Sequence, residues 1–422
     1  MDTANKWTAL AGRSAERHAS SIRLRTWARL TETEVLMQQA YQISAAQGNA
    51  WPTLLRLARS VGASDVHWST GESAWLRIDG QLQRVSVSCT SHSMYRPDMS
   101  RVLCAQDVHD IRTALMHAQG LDTSSNLHPS AALNNVDFAV SLPELGRFRV
   151  NAFEQARGPA LALRLIPNEM PQLKHLNAPA CVAHWALQRH GLLLFTGPTG
   201  SGKSTLLAAL LHHINTERQV HIVTLEDPIE FIHTSHNSLV HQREVGRDTP
   251  DFESGLRAAL REDPDVLLVG ELRDSRTIKL ALTAAETGHL VLATLHTASA
   301  PQAVDRLVDA FPSQEREGVR ALFAESLVAV LTQTLCPHRS GLGRVAAHEI
   351  MVATPAVRNL VREGKVSQLY ALLQTGHAVG MQTLDQSLQA LYQNQEISQQ
   401  TLALLRKYPQ NSKLVDNHGF KD

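Results

Sequence analysis

A chain of 422 residues with 43% hydrophobic content exceeds what one globule needs and has room for two or three domains, each with its own core. Lys plus Arg equals 40 and Asp plus Glu equals 40, so the chain lacks the positive excess with which a dedicated nucleic-acid binder neutralises phosphates. Cys89, Cys104, Cys181 and Cys336 form no C-x-x-C pair, and no stretch reaches the roughly 18 consecutive apolar residues of a membrane span; this excludes a zinc ribbon and predicts a reduced, cytoplasmic protein.

Residues 1–50 read as a basic extension. Its first part carries Lys6, Arg13, Arg17, Arg23, Arg25 and Arg29 against Asp2 and Glu16, with Trp7, Leu24 and Trp27 interspersed. Such a segment either stays solvated as a tail or touches anionic lipid. A small α/β domain is expected over 51–170. It opens with a helix bearing Leu54, Leu55, Leu57 and Ala58, then alternation at Trp75, Arg77 and Asp79 running into the turn pair Asp79-Gly80. A helix follows near Asp107 to Ala118, then strands around Val136–Val140, Gly146–Phe153 and Ala160–Leu165. The Ser-, Asn- and His-rich stretch Asp122–Asn135 reads as a loop.

Pro167, Pro171 and Pro179 disfavour helix at the residues before them and place a linker at 171–178. Beyond it, over 179–300, the spacing predicts a helix at Ala180–His190, an apolar strand at Leu192–Phe195, and then helix and strand in alternation. That order is expected of a parallel sheet covered by helices. From 301 to 410 the pattern reads as helical, with Leu322, Phe323, Leu327, Val330 and Leu331 on one stripe, and 411–422 as a tail.

The run Gly197-Pro198-Thr199-Gly200-Ser201-Gly202-Lys203-Ser204-Thr205 satisfies the full phosphate-loop pattern, directly after an apolar strand and directly before an amphipathic helix. Its glycines let backbone N–H groups curl around phosphate oxygens, Lys203 reaches the terminal phosphates, and Ser204 can ligate Mg²⁺. ATP and Mg²⁺ are the ligands this implies. The strand Val266–Val269 ends in Gly270-Glu271, placing an acid where phosphoryl chemistry occurs, either to orient water or to hold the metal through water. Ile222–Glu230 delivers Glu226, Asp227 and Glu230 within five residues at a strand end, a cluster whose mutual repulsion asks for a cation or arginines nearby. Asp227, ahead of Pro228, has the alternative role of capping the next turn. In the strand from Gly288 to Thr297, His296 and Thr297 are expected at the sheet edge that faces the phosphates.

These four segments together resemble the secretion and pilus motor ATPases, and the resemblance covers roughly residues 51 to 408. Within that superfamily the chain is similar to the pilus retraction ATPases of twitching motility. Ala63–His67, Arg77–Gly80 and Gly146–Asn151 resemble that family's N-terminal domain, and Ala356-Val357-Arg358-Asn359-Leu360-Val361-Arg362-Glu363 resembles a retraction-type helix motif. The tetracysteine zinc site usual in assembly and type II secretion ATPases is missing from these scattered cysteines.

The resemblance implies a PAS-like α/β domain, then a RecA-like P-loop ATPase domain and C-terminal helices. It implies paired catalytic glutamates Glu230 and Glu271, with both also serving the metal beside Ser204. A histidine-box pair His289 and His296 is implied as well, and Arg147, Arg149 and Arg164 as arginines that approach nucleotide across or between subunits. It further implies a homo-hexamer acting on an inner-membrane pilus platform protein and the pilin machinery. The location would be cytoplasmic, peripheral at the inner-membrane face, with no nucleic-acid partner. Conjugative, type IV or type II secretion, pilus assembly, and a non-hydrolysing nucleotide-binding ring subunit are the alternatives. The basic first fifty residues and the Ser- and Asn-rich segment around 86–135 exceed the family pattern.

Overall fold

The computed structural model describes residues 51–406, apart from 79, 86–100, 119–134, 167–168 and 342. The basic extension, most of the Ser- and Asn-rich segment and the terminal tail lie outside the described residues. The chain divides into two compact units that meet between Asn168 and Glu169.

Among the described residues, the first unit is a six-stranded antiparallel sheet with two helices. In chain order it contains α1 (Trp51–Ser60), β1 (Asp65–Ser69), β2 (Trp75–Ile78), β3 (Gln81–Arg84), α2 (Ala105–Ala118), β4 (Asn135–Leu142), β5 (Gly146–Gln155) and β6 (Gly158–Ile166). The strand order is β3-β2-β1-β6-β5-β4. Alternation along the strands decides the two faces. Val66 and Trp68, Phe148 and Val150, and Leu161 and Leu163 bury with Leu55 and Leu57 of α1 and Leu115 of α2 in one core. Arg147, Arg149 and Asn151 alternate with the buried residues of β5. β2 and β3 pair Ile78 with Gln81, and Gly80 just before β3 adopts φ 82°, a left-handed value that suits glycine.

The second unit holds a seven-stranded sheet in the order β13-β12-β7-β11-β10-β8-β9. Its elements are α3 (Ala180–Trp185), β7 (Gly191–Thr196), α4 (Lys203–Glu217), β8 (His221–Glu226), β9 (Leu239–Glu244), α5 (Phe252–Ala259), β10 (Val266–Val269), α6 (Ser275–Glu286), β11 (Leu290–Leu295), α7 (Ala300–Asp309), α8 (Arg316–Ser326), β12 (Leu327–Pro337), β13 (Arg344–Val352), α9 (Pro355–Arg362), α10 (Leu369–Thr375), α11 (Leu384–Gln393) and α12 (Gln399–Leu405). All neighbours pair in parallel except β12 with β13. Both faces are covered, so β7, β10 and β11 are buried along their whole length and read as largely apolar runs, with Thr196 and Thr294 the polar exceptions. Leu192, Leu194, Val223 and Val291 face the layer of α5 to α10, while Leu193, Phe195, Ile222 and Leu292 face α3 and α4.

Three expectations change here. The segment after 301 is not simply helical: Leu327, Val330 and Leu331 lie in β12, which pairs with β7 and extends the central sheet. A run of Leu, Val and Ala satisfies helical and fully buried strand patterns alike, and the neighbouring strand decides. The helix expected over Ala180–His190 ends at Trp185. Finally, the sheet gains an edge strand, β9, whose mixed sequence Leu-Val-His-Gln-Arg-Glu carries no apolar run.

Two buried histidines give the second unit a measurable acid response. Burial pushes His348 of β13 from 6.5 down to about 4, and burial, aided by the nearby His212, does the same to His233. The folded chain therefore binds fewer protons than the unfolded chain between these values. Stability present above pH 6.5 is lost as pH falls toward 4. Between pH 7 and pH 5 the urea unfolding free energy should drop by roughly 1–2 kcal/mol per histidine. His348→Gln should flatten that slope, and an unfolding midpoint independent of pH in this range would contradict the burial.

Candidate active site

The carboxyl ends of β7, β11, β10 and β8 share one edge of the parallel sheet, and the expected chemistry gathers there. The phosphate loop leaves β7 at Thr196 and enters α4 at Lys203. Gly197, Gly200 and Gly202 hold φ of 140°, 79° and 87°. At two of them the surroundings forbid a side chain as well. A Cβ on Gly197 would stand 2.4 Å from the Gln333 carbonyl oxygen and 2.7 Å from Ser201 Oγ, and one on Gly202 would stand 2.7 Å from Gln333 Nε2. Pro198, Thr199 and Gly200 form the exposed crest of the loop, and Ser204 and Thr205 open the first turn of α4, with Ser204 exposed. Lys203 is buried and donates to Gly197 O at 2.7 Å and Pro198 O at 3.0 Å.

The loop fits a polyphosphate on its own evidence. Its glycine positions keep backbone close at hand, Ser201 Oγ is buried with no hydrogen-bond partner, and an ammonium group sits under the curl. Burial lowers the Lys203 pKa, while the charges of Glu271 and Glu230 push it back up. That opposition places both carboxylates within electrostatic reach of the ammonium, although Glu271 follows β10, the second neighbour of β7, and Glu230 follows β8, the third.

Glu271 is held from two sides. Arg273 Nε donates to Glu271 Oε2 at 2.7 Å, and His296 Nε2 lies 3.5 Å from Oε1. Arg273 also pairs with Asp227 at 3.5 Å, tying the ends of β10 and β8 together. The backbone around Glu271 is fixed equally well: Gly270 N donates to Leu225 O at 2.7 Å, Leu272 N to Thr294 O at 3.1 Å, and Thr294 Oγ1 to Gly270 O. Asp274 caps α6 by accepting from the Arg276 and Thr277 N–H groups. The acid at position 271 thus sits on a rigid strand end between two neighbours, where a catalytic carboxylate is best positioned.

The three-acid cluster of residues 226–230 does not converge on one ion. Glu226 accepts from Thr224 Oγ1 at 2.7 Å and from Gln242 Nε2 at 3.1 Å, Asp227 turns to Arg273, and Glu230 alone joins Glu271 near Lys203. Successive residues leave a strand in different directions, so proximity in sequence did not become proximity of carboxylates. Of the two box histidines, His296 meets Glu271, with Thr297 buried beside it, whereas His289 lies at the other end of β11. There its Nδ1 contacts Ala284 O at 3.0 Å and its carbonyl accepts from Gly191 N at 3.0 Å. Six strand residues, about 20 Å, separate it from the phosphate edge of its own fold.

Arg147, Arg149 and Arg164 belong to the first unit. Arg149 pairs with Asp137 at 2.6 Å and Arg164 with Asp65 at 3.1 Å, while Arg147 donates to Ser141 Oγ at 2.9 Å. Sequence reasoning assigned no role to Arg273, although it stands two residues beyond Glu271, or to Gln333, whose signal was a polar residue after Thr332 in an otherwise apolar run. Among the described residues, no three His, Cys, Asp or Glu side chains cluster as metal ligands.

Residues 53–402 match the family model for type II/IV secretion system proteins. The type IV pilus retractation ATPase PilT of Pseudomonas aeruginosa is 46% identical over 359 residues, covering 85% of this chain and 98% of that one. A twitching motility protein of Neisseria gonorrhoeae is 49% identical over 316 residues, covering 75% of this chain and 79% of its own length. The crystal structure of the pilus retraction motor PilT and bound ADP aligns with a TM-score of 0.72 at 39% identity, over 85% of this chain and 97% of that chain.

The close packing at Gly197 makes a direct test. Gly197→Ala should lower stability by about 2 kcal/mol or more, because it combines an unfavourable backbone region with a clash against backbone rather than a flexible side chain. It should also weaken binding of a fluorescent ADP analogue. An unchanged melting temperature together with unchanged binding would show that the loop is not packed as described.

Proposed function

This chain belongs to the type II/IV secretion system protein family, and on that premise we propose that it works as a hexameric ring whose ATP hydrolysis powers type IV pilus retraction. It is an ATPase. The observation that carries this reading is that Glu271 and Glu230 lie within electrostatic reach of Lys203, in a chain 46% identical to a pilus retraction ATPase.

The reaction asks the protein mainly for positioning and charge stabilisation. The phosphate-loop backbone and the amino end of α4 receive the phosphates, and Lys203 lies where it can meet the charge that develops on them. Glu271, anchored by Arg273 and His296, accepts a hydrogen bond from the attacking water. As that water's oxygen bonds to the terminal phosphorus and one of its protons passes to Glu271, the bond from phosphorus to the oxygen shared with ADP breaks, and inorganic phosphate leaves. Mg²⁺, held by Ser204 with Glu230 and Glu271 acting through water, would neutralise charge on the phosphate oxygens. Burial lowers the Lys203 pKa, and the charges of Glu271 and then Glu230 oppose that lowering. His296 links the fate of the Glu271 carboxylate to the end of β11, a route by which nucleotide state reaches the sheet.

We extend the reading to the first unit as a PAS-like module whose Arg147, Arg149 and Arg164 stabilise nucleotide charge in the assembled ring. His289, remote from the phosphates of its own fold, is a candidate contact to a neighbouring subunit. No helix among the described residues is long and apolar enough to cross a membrane. As a separate part of the proposal, the motor acts at the inner face of the inner membrane, on a pilus platform protein and the pilin machinery.

Lys203→Ala, Glu230→Ala and Glu271→Ala should each lower phosphate release on the order of a hundredfold or more while size-exclusion elution stays that of the wild type. Wild-type turnover in the Glu271 variant would remove its assigned role. A strain lacking the chain should keep its pili but fail to retract them, whereas bald cells would point to assembly.

A further inference from the structure

Behind the phosphate loop lies a buried polar couple that the catalytic scheme does not use. Gln333 and His348 face each other across the β12–β13 register, and both are buried. An amide and an imidazole so placed are costly unless their polar atoms are bonded. Gln333 Nε2 lies 2.7 Å from Ser201 O, and its Oε1 lies 3.2 Å from His348 Nε2. The direction of this chain is forced. A backbone carbonyl can only accept, so the amide nitrogen faces Ser201. The amide oxygen left over can only accept in turn, so His348 carries its proton on Nε2.

His348 is itself pinned. Its backbone N–H donates to Ser387 Oγ at 3.0 Å and its carbonyl accepts from Gln382 Nε2 at 3.1 Å, both from the segment that leads into and forms α11. Burial keeps its ring neutral, with a pKa near 4. At the other end the loop is built around Gln333, since neither Gly197 nor Gly202 has room for a Cβ against it. The Ser201 carbonyl shares a planar peptide unit with the Gly202 N–H, so a bond to that oxygen sets the direction of that donor.

We propose that Gln333 is a positioning residue for the nucleotide phosphates, orienting the Ser201–Gly202 peptide so that its N–H meets the anion, and that His348 fixes Gln333 in that pose. The inference rests on the ATPase reading and deepens it: the loop takes its shape from the C-terminal strand pair as well as from its own glycines.

The test uses the full chain with Mg²⁺, reading ATP hydrolysis, affinity for a fluorescent ADP analogue, and the melting temperature. Gln333→Leu should raise the KM for ATP and the Kd for the analogue about tenfold or more, with kcat changed less than about threefold, as expected for loss of uniform phosphate binding. His348→Leu should behave in the same way. His348→Gln, whose amide nitrogen reaches the position of the ring Nε2, should restore KM to within about threefold of wild type. Should Gln333→Leu not fold, the two His348 variants carry the comparison. A wild-type KM in the Leu variants, or equal losses in His348→Leu and His348→Gln that follow melting temperature alone, would overturn the proposal while wild-type turnover left the ATPase reading intact. Absence of both turnover and analogue binding in the wild-type chain would overturn the ATPase reading and this inference with it.

Discussion

Burying an ammonium group beside a parallel sheet costs several kcal/mol unless charges and hydrogen bonds answer it. Lys203 is answered by two loop carbonyls and by the fields of Glu230 and Glu271, and much of the second unit follows from that requirement. The carbonyls come from a loop that only glycine permits to curl so tightly. The carboxylates come from the ends of two further strands, which must lie in register with β7 and run in its direction to present their ends on the same side.

The strand order makes this arrangement workable. β11 separates the phosphate strand from the Glu271 strand by about 10 Å in all, two inter-strand spacings. Glu271 therefore meets Lys203 through its field, and the intervening space is bordered by His296 at the end of β11. Arg273 adds a second constraint by pairing with Glu271 and Asp227 together, so the ends of β10 and β8 act as one piece. On the far side β12 supplies Thr332, whose hydroxyl lies 2.7 Å from that of Thr196, and Gln333 beneath the loop. The phosphate loop is thus held between a strand that precedes it in the chain and one that follows it by more than a hundred residues.

Much of this was legible in order. Leu192–Phe195, Val266–Val269 and Leu290–Leu295 announce themselves as strands because parallel strands buried on both faces are almost wholly apolar, with Thr294 the one polar residue in these three runs. The phosphate loop is legible because φ above zero and close backbone approach demand glycine at set positions. The same apolar logic misled at Leu327–Leu331, where a buried strand and a buried helix look alike, and β9 escaped because an edge strand is allowed to be polar. The carboxylates of 226–230 were legible as a cluster but not as three separate fates.

Local chemistry written along the chain determined which residues could hold phosphate, where an acid would end a strand, and which segments would be buried; each depends on neighbours a few residues away. Which residues meet was decided only by the sheet. Its order sends Glu230 and Glu271 to Lys203, leaves His289 at the opposite end of β11, and brings Gln333 under a loop far earlier in the chain. The physical reason is that strand order and register arise from packing both faces of the whole sheet at once, a condition no local window of residues contains.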